Sequence, residues 1–314
     1  AGGRPGGAGP GGAPSGRLQG VEQEGEKTMG KIVIVGSGPA GCSAALYAAR
    51  AGQEVVVISM GMGALSKAEL IQNYYGFEEG ITGAELYRQG VAGAKAVGAE
   101  FITAEVVGLD YTGSLVVQTT EGDYPADAVI LATGAGRIAP KIAGLAEHEG
   151  RGVSYCATCD AFFYRGKTAA VLGSGEYALH EVQALLPLAG RVILCTNGEP
   201  LTADFPEGVE ICTEKLAAVE GEEKVSALRL ENGELLPVEG LFVALGVAGS
   251  AALARKLGAP VENGRIVVDE RMQTGIPGLY AAGDCTGGLL QVCKAVYEGA
   301  LAATEAIKQI RGKK

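Results

Sequence analysis

Apolar residues in this chain occur as short continuous runs, and three of these runs end at a glycine turn followed by a helical pattern of small and apolar residues. Short strands that are apolar on both faces are typical of a sheet buried between helices. The pattern therefore predicts an α/β fold with parallel sheets covered by helices. The three strands are predicted at 31–35, 168–172 and 278–282, and their helices are predicted to end at Arg50, near Leu188 and at Ile310.

Shorter β segments lie between these units. Asn232-Gly233 and Asn263-Gly264 are typical of hairpin turns, so antiparallel strands are predicted around them. Further strands are predicted at 54–58, 101–103, 115–119, 128–131 and 191–195. Two strand–glycine turn–helix units of the nucleotide-binding type in 314 residues imply two related, three-layer Rossmann-like domains.

The first glycine turn has the spacing Gly36-x-Gly38-x-x-Gly41 between a strand and a helix. Gly36 permits the tight turn, Gly38 lets the backbone approach a pyrophosphate, and Gly41 lets the helix pack closely on the strand. The positive end of the helix would then face the phosphates. This turn predicts a dinucleotide site, although Ser59 stands where a ribose-binding acid is expected.

The third strand leads into Gly283-Asp284. A carboxylate at this strand end is predicted to lie beside the middle of the same cofactor. There it could accept hydrogen bonds from ribityl hydroxyl groups.

Cys156-Ala-Thr-Cys159 is the chemical centre of the sequence. Two cysteines at this spacing can close a small disulfide, and the first thiol often has a lowered pKa that supplies the attacking thiolate. Half of a zinc site is an alternative, but zinc needs four ligands and the only histidines are His148 and His180. A coincidental structural pair is a further alternative.

The charge and composition of the chain argue against several classes of function. A net charge of −10 argues against nucleic acid as the main partner, because phosphate binding needs a basic surface. No charge-free apolar stretch reaches about 18 residues, so no membrane span is predicted. The first residues also lack the basic head and apolar run of a signal peptide. Residues 1–28 are rich in Gly and Pro and are predicted to be a disordered tail.

Seven cysteines, an odd number and mostly scattered, suit a reducing compartment, and a cytoplasmic location is predicted. Cys42 and Cys285 are predicted to be small buried residues, and Cys293 is predicted to lie in a helix core.

With these motifs in view, the sequence resembles the low-molecular-weight thioredoxin reductase family over residues 30–310. The strongest stretch is 152–166, and the supporting stretches are 36–41, 73–77, 82–83, 132–134, 240–246 and 277–284. The resemblance implies FAD as the cofactor, a thioredoxin-like partner and a homodimer. It also implies an FAD domain of two parts, 29–137 and 246–314, with an inserted NAD(P)-like domain at 138–245 that carries the dithiol.

The resemblance implies roles for individual residues. Cys159 would meet the flavin ring, Cys156 would attack the partner disulfide, and Asp160 would manage the proton. The inserted domain would rotate to present the dithiol first to the flavin and then to the partner. Together with the glycine turn and Asp284, the predicted cofactor-binding residues are Gly36, Gly38, Pro39, Ala40, Gly41, Asn73, Thr133, Gly134, Gly283, Asp284, Gln291 and Val292.

The second glycine turn departs from the family pattern, with Ser174, Glu176 and a bulky Tyr177. Residues 192–228 contain no Arg, although the family reads the 2′-phosphate of NADPH with arginines there and Arg supplies the bidentate contact to phosphate. These departures predict that NAD(P)H is not the donor. The sequence is similar in this respect to a branch of the family that takes electrons from ferredoxin.

Two other functions remain open from the sequence, and a third is disfavoured. The chain could reduce thioredoxin with NADH or NADPH, because the glycine turn is retained. It could be a non-enzymatic flavin redox sensor. A peroxide-system reductase normally carries an additional N-terminal thioredoxin-like domain, for which residues 1–28 are too short.

Overall fold

The computed structural model describes residues 2–3, 29–135, 141–246 and 249–312. Apart from residues 2–3, the tail predicted at 1–28 lies outside this part of the chain. The predicted domain boundary between residues 137 and 138 lies outside it as well.

A strand is followed by a helix at each of the three glycine turns, as the apolar pattern predicts, and runs of consecutive strands lie between these units. The N-terminal elements are β1 (Lys31–Val35), α1 (Pro39–Arg50), β2 (Glu54–Ser59), α2 (Gly83–Ala96), β3 (Glu100–Thr103), β4 (Val106–Tyr111), β5 (Leu115–Thr119), β6 (Gly122–Ala126) and β7 (Ala128–Leu131). The middle elements are β8 (Val153–Ser154), α3 (Ala157–Asp160), β9 (Thr168–Leu172), α4 (Glu176–Leu185), β10 (Arg191–Cys195), β11 (Glu210–Cys212), β12 (Leu216–Glu220), β13 (Ala227–Leu230), β14 (Leu235–Pro237) and β15 (Gly240–Val243). The C-terminal elements are α5 (Ser250–Lys256), β16 (Val261–Glu262), β17 (Arg265–Ile266), β18 (Leu279–Ala281) and α6 (Val292–Gly312).

The first sheet is parallel and joins strands from both ends of the chain. Its order is β18-β7-β1-β2-β3, so β18 returns beside β7 after the whole middle part of the sequence. The α/β fold with a discontinuous first domain is therefore confirmed.

The second sheet is also parallel and has the order β11-β10-β9-β15-β8. Three small antiparallel sheets accompany the two parallel ones: β4-β5-β6, β12-β13-β14 and β16-β17. The two predicted hairpins are confirmed, because Asn232-Gly233 joins β13 to β14 and Asn263-Gly264 joins β16 to β17.

One predicted helix is too long. α4 ends at Leu185 rather than near Leu188. Pro187 has no N–H to donate to the preceding turn, so the helical hydrogen-bond pattern cannot continue through it. Leu188 N–H bonds Leu185 O at 2.9 Å instead, which makes a tighter turn.

The core lies on both faces of the first sheet. On one face, α1 and α6 pack their alanines against apolar side chains such as Ile32 and Ile130. The two helices approach closely, since a Cβ on Gly299 would overlap the backbone of Ala40. On the other face, Val33 and Leu131 belong to a core that continues into the second sheet through Phe242 and α4. The glycine turns are thereby held on rigid strand ends.

Candidate active site

The C-terminal ends of three neighbouring strands meet at one edge of the first sheet. β1 leads into the first glycine turn, β7 leads into Thr133 and Gly134, and β18 leads into Gly283 and Asp284. A Cβ on Gly36 would overlap Ala132 O, so the first two turns are in direct contact. Ligands of open α/β sheets bind at this edge. The fold thus brings together predicted cofactor residues that are far apart in the sequence.

Gly38 forms an open face on the first glycine turn. Its backbone, with φ −70° and ψ −171°, is one that any residue can adopt. A Cβ at this position would meet nothing within 4 Å. α1 then begins with Pro39 and Ala40 and has no acidic residue in its first turn. An unobstructed helix start with its positive end exposed is a cradle that fits the pyrophosphate of FAD.

Hydroxyl groups occupy the end of β2, where a ribose-binding acid is expected. Ser59 Oγ lies 2.7 Å from Ser37 Oγ, which in turn lies 3.1 Å from Tyr87 Oη. Ser37 also donates to Gly61 O at 3.2 Å. Hydroxyl groups can both donate and accept hydrogen bonds, so this cluster offers polar contacts without a carboxylate. Sequence reasoning missed Ser37 and Tyr87, although a serine inside the glycine turn was a visible signal.

A largely buried ion pair ties the start of α6 to the Gly283 turn. Lys294 Nζ donates to Gly283 O at 2.8 Å and lies 3.0 Å from Glu298 Oε2. The same carboxylate accepts the Gly283 N–H at 2.8 Å. These contacts therefore join the Gly283 turn, which is followed by Asp284, to the start of α6, which contains Val292. Sequence reasoning missed this pair, although oppositely charged residues four apart on a helix are a recognisable signal.

Asn73 and Gln291 meet across the fold. Asn73 Nδ2 donates to Gln291 Oε1 at 2.8 Å. The segment Gln72 to Glu78 lines an open pocket of ≈ 600 Å³, in which the Tyr75 side chain is 98% exposed. Two predicted cofactor residues therefore lie together at an open surface pocket.

The dithiol forms the N-terminal end of the four-residue helix α3. Cys156 and Cys159 are joined by a disulfide, with their Cα atoms 5.3 Å apart. Cys159 N–H donates to Cys156 Sγ at 3.1 Å, and an N–H directed at sulfur favours the thiolate once the pair is reduced. Ser154 Oγ accepts the Cys156 N–H at 3.1 Å and donates to Asp160 Oδ2 at 2.7 Å. Ser154 thus connects Asp160 to the dithiol backbone.

Glu181 and Lys256 form a buried ion pair that joins α3, α4 and α5. Lys256 Nζ lies 2.6 Å from Glu181 Oε1, and both side chains are 1% exposed. The other carboxylate oxygen accepts the Ala157 N–H, and His180 Nδ1 lies 3.3 Å from Oε1. Burial alone would raise the pKa of Glu181, but contacts with His180, Lys256 and Ala157 bring it below its ordinary value. Sequence reasoning missed this pair, because no motif links two residues 75 positions apart.

The two sulfur atoms of the disulfide differ in exposure. Cys156 is only 4% exposed, whereas Cys159 is exposed and its Sγ lies 3.7 Å from Lys256 O at the end of α5. The other end of α5 is Ser250, whose Oγ lies 2.6 Å from Thr133 Oγ1. This helix of seven residues therefore lies between the dithiol and the cofactor turns, a length of roughly 10 Å at 1.5 Å per residue.

The second glycine turn is covered by a neighbouring segment. Thr202 N–H donates to Ser174 O at 2.8 Å, and a Cβ on Gly175 would meet Thr202 Oγ1 at 3.0 Å. Glu176 and Asp204 line the adjacent pocket of ≈ 620 Å³. An anionic pyrophosphate would meet both a steric cover and negative charge at this helix start.

Tyr177 points into the core and not toward a pyrophosphate position. Its side chain is 2% exposed, and its Oη donates to Tyr155 O at 2.9 Å. Burial, followed by the charge of Glu181, raises the pKa of Tyr177 well above its ordinary value. The first turns of α4 therefore support the segment that carries the dithiol.

The isolated cysteines divide into buried and exposed groups. Burial raises the pKa of Cys42 to about 12 and that of Cys285 to about 11, as expected for small buried residues. The prediction for Cys293 is wrong, because its side chain is exposed. Two positions further along α6, Ala295 is buried, and residues two apart point to nearly opposite sides of a helix.

Comparisons with known proteins agree with this architecture. The pyridine nucleotide-disulphide oxidoreductase family matches residues 30–299. A curated thioredoxin reductase of Aquifex aeolicus is 35% identical over 307 residues, which cover 90% of this chain and 94% of the relative. A thioredoxin reductase of Listeria innocua is 33% identical over 304 residues, which cover 91% of this chain and 95% of the relative.

Two solved structures extend the comparison. The atypical thioredoxin reductase TRi of Desulfovibrio vulgaris Hildenborough superposes with a TM-score of 0.85 and 40% identity, covering 90% of this chain and 98% of that chain. A ferredoxin-flavin thioredoxin reductase of Clostridium acetobutylicum gives a TM-score of 0.70 and 35% identity, covering 91% and 99%, respectively.

Across the described ranges, none of the helices combines the length and the apolar character required to traverse a bilayer.

Proposed function

The chain belongs to the pyridine nucleotide-disulphide oxidoreductase family and is a thioredoxin reductase-like flavoprotein, and from this premise we propose that it carries electrons from reduced ferredoxin through FAD to Cys156 and Cys159. The dithiol then reduces the disulfide of a thioredoxin-type protein. The observation that carries this proposal is the contrast between an open first glycine turn at Gly38 and a covered second one at Gly175. In the proposal, the first glycine turn binds a dinucleotide and the second does not.

In the proposal, the cofactor residues lie at the three strand ends and at the start of α6, together with Asn73, which contacts Gln291 there. FAD, when bound, would supply a two-electron carrier between the donor and the dithiol. In the proposal, Gly38 and the start of α1 hold the pyrophosphate, and Asp284 accepts hydrogen bonds from ribityl hydroxyl groups. Thr133, Gly134 and the other residues around them complete the cradle. The remaining members of this set are Gly36, Pro39, Ala40, Gly41, Asn73, Gly283, Gln291 and Val292.

Each turnover of the dithiol transfers two electrons. Reduction breaks the bond between Cys156 and Cys159 and takes up two electrons and two protons. The Cys156 thiolate attacks one sulfur of the partner disulfide and displaces a thiolate. Cys159 then attacks Cys156 Sγ in the mixed disulfide, which releases the reduced partner and restores the internal disulfide. Asp160, connected through Ser154, holds the exchanged proton.

Cys156 needs a conformational change before it can attack a protein. Its side chain is 4% exposed in this arrangement. Rotation of the inserted domain away from α5 would uncover it and would separate Glu181 from Lys256. We assign residues 29–137 and 246–314 to the FAD domain and residues 138–245 to the rotating domain. We also propose a homodimer, which sedimentation analysis would measure.

An exposed aromatic surface supports a protein partner at the dithiol. Phe162 and Phe163, which follow the redox helix directly, are each 66% exposed. Large exposed aromatic side chains are enriched in the anchors of protein interfaces.

The proposal that ferredoxin is the donor depends on the negative charge near the second glycine turn as well as on the segment that covers this turn. Glu176 and Asp204 stand at the second glycine turn, and Thr202 closes over its backbone. The Clostridium acetobutylicum relative carries ferredoxin in its name, which is consistent with a donor that needs no nicotinamide site.

The test compares three donors on the same FAD-loaded protein under anaerobic conditions. NADPH, NADH or photoreduced ferredoxin is added, and the flavin absorbance is followed together with the free thiols of oxidised thioredoxin. Bleaching and thioredoxin reduction with ferredoxin alone are expected. Rapid bleaching by either nicotinamide, at a rate that supports thioredoxin turnover, would overturn the donor assignment and leave the cysteine roles standing.

A further inference from the structure

A second pair of cysteines lies in the inserted domain, away from the redox helix. Cys195 ends β10 and Cys212 ends β11, and the parallel register pairs them directly. The Thr196 N–H bonds Cys212 O at 2.9 Å, which keeps the strand ends together. Seventeen positions of sequence separate the two cysteines, so only the sheet register makes them neighbours.

The geometry of this pair suits a disulfide. Adjacent strands lie about 4.7–4.9 Å apart, and the Cα atoms of a disulfide are usually roughly 4.4–6.8 Å apart. In-register residues of parallel strands point to the same face. Both cysteines indeed pack on the same apolar cluster, which includes Ile193 and Leu216. β11 is a three-residue strand at the edge of the sheet, so it can adjust its position without disturbing a further strand.

The two thiols have unequal access to solvent. Cys195 is fully buried, whereas Cys212 is partly exposed. The strand register places them side by side, so that each thiol affects the protonation of the other. A partly exposed thiol backed by a buried one is the arrangement in which the first reacts with an external molecule and the second resolves the product.

We propose that Cys195 and Cys212 form a second redox-active thiol pair, which low-molecular-weight disulfides oxidise to a disulfide within the inserted domain. Cys212 is the attacking residue, and Cys195 is the resolving residue. This site is independent of the electron donor and of the flavin.

The reaction proceeds in two exchanges. The Cys212 thiolate attacks one sulfur of the small disulfide, forms a mixed disulfide and displaces one small thiolate. Cys195 then loses its proton to the displaced small thiolate and attacks Cys212 Sγ. The second small thiolate departs and takes up from solvent the proton that Cys212 released when it became the thiolate. The two protein thiols lose two electrons and two protons, and the small disulfide gains both as two thiols.

The electrostatics of the pair favour Cys212 as the nucleophile. The hydrogen bond from Cys195 and the backbone N–H of Glu214 lower the pKa of Cys212 to about 6, although burial and the charges of Glu214 and Glu210 oppose this. The hydrogen bond to Cys212 and burial raise the pKa of Cys195 above its ordinary value. Near pH 7 the accessible sulfur is therefore the thiolate, which is the species that attacks disulfides.

The experiment uses oxidised glutathione as the probe. The FAD-loaded C156S/C159S double variant removes the first dithiol, so that only the remaining cysteines respond. After incubation at pH 7, the intact protein is expected to lose the mass of two hydrogens, and peptide mapping is expected to find residues 195 and 212 cross-linked. Cys293→Ser, which changes an exposed thiol elsewhere, is the matched control and should leave the cross-link unchanged.

Two further variants separate the roles of the pair. With Cys195→Ser the reaction should stop at one glutathione on residue 212, and with Cys212→Ser neither the adduct nor the cross-link should form. A stable glutathione adduct on Cys212 in protein that retains Cys195, or an unreactive Cys212, would overturn the proposal. Peptide mapping of oxidised protein without substitutions gives the same answer if a variant fails to fold.

Discussion

The two glycine turns of this protein have almost the same sequence pattern but opposite surroundings. At the first turn, a Cβ on Gly38 would meet open space, and α1 starts without an acidic residue. At the second, a Cβ on Gly175 would press on Thr202, and Glu176 stands in the first turn of α4. The same sequence of strand, glycine turn and helix can therefore present very different surroundings to a dinucleotide. The segment that lies over the turn decides whether a phosphate can approach.

The two helices that follow these turns also differ in what they hold. α1 packs on α6 and presents its N-terminus to the cofactor edge of the first sheet. α4 directs Tyr177 to Tyr155 O and Glu181 to the Ala157 N–H, on either side of Cys156. In this arrangement the second helix supports the redox helix.

The largest effect is expected at the exposed sulfur of the redox helix. Cys159→Ser should lower thioredoxin turnover on the order of a thousandfold or more, because loss of a covalent catalytic residue has effects of this size. Flavin content should not change, since the cofactor turns belong to the first sheet. Turnover with reduced ferredoxin and flavin absorbance are the two measurements.

A matched control for this variant is Cys212→Ser, which also replaces one sulfur of a pair in the inserted domain. It should retain turnover. Loss of turnover in both variants, or in neither, would contradict the cysteine roles.

The next effect concerns the support that α4 gives to the redox helix. Glu181→Gln leaves the Lys256 ammonium buried without its charge partner, and breaking such a pair costs about 3–5 kcal/mol. A large decrease in Tm is expected by calorimetry. The double variant E181Q/K256M, which removes both charges, should recover most of the loss. A single variant as stable as the parent would show that the pair does not hold these helices together.

The same pair predicts how stability depends on pH. The pKa of Glu181 lies below its ordinary value of 4.5 in the folded protein, so the unfolded chain binds its proton more readily. The stabilisation is therefore complete above pH 4.5 and is lost as the pH falls through the lower folded-state value. The Tm difference between the parent and Glu181→Gln should narrow below pH 4.5. A difference that stays constant on acidification would contradict the ionised pair.

A direct test of the two glycine turns replaces each by the same residue. Gly38 and Gly175 both have negative φ, so valine is sterically possible for either backbone. Gly38→Val should weaken FAD binding by roughly ten- to a hundredfold, since crowding a packed site costs about 1–3 kcal/mol. Gly175→Val should leave FAD affinity unchanged, as judged by flavin fluorescence during titration. Equal losses in the two variants would remove the distinction between the turns.

The smallest effect is expected on the aromatic surface beside the dithiol. Phe163→Ser should raise the KM for thioredoxin about tenfold, the consequence of truncating an exposed anchor of an interface. Reduction of cystine, which needs no protein surface, should not change. Tyr111→Ser replaces a similarly exposed aromatic residue on β4 and serves as the control. An unchanged KM for thioredoxin would place the partner elsewhere.

Much of the cofactor edge could be predicted from local sequence. The Gly36 turn and Asp284 each directly follow a short apolar strand, and strand ends of a parallel sheet meet at one edge. The polar partners of that edge could not be predicted so well. No sequence motif links Ser37 to Tyr87 or Lys294 to Gly283, because each contact joins segments that only the fold brings together.

By itself, the sequence determined the strands of the first sheet, the first glycine turn and the spacing of Cys156 and Cys159, since each depends on residues a few positions apart. Tertiary structure decided that Thr202 covers the second turn, that Glu181 meets Lys256, and that Cys195 lies beside Cys212. These contacts depend on sheet register and on the packing of distant segments. Local spacing carries no information about either, because a side chain's neighbours in space are set by the whole chain.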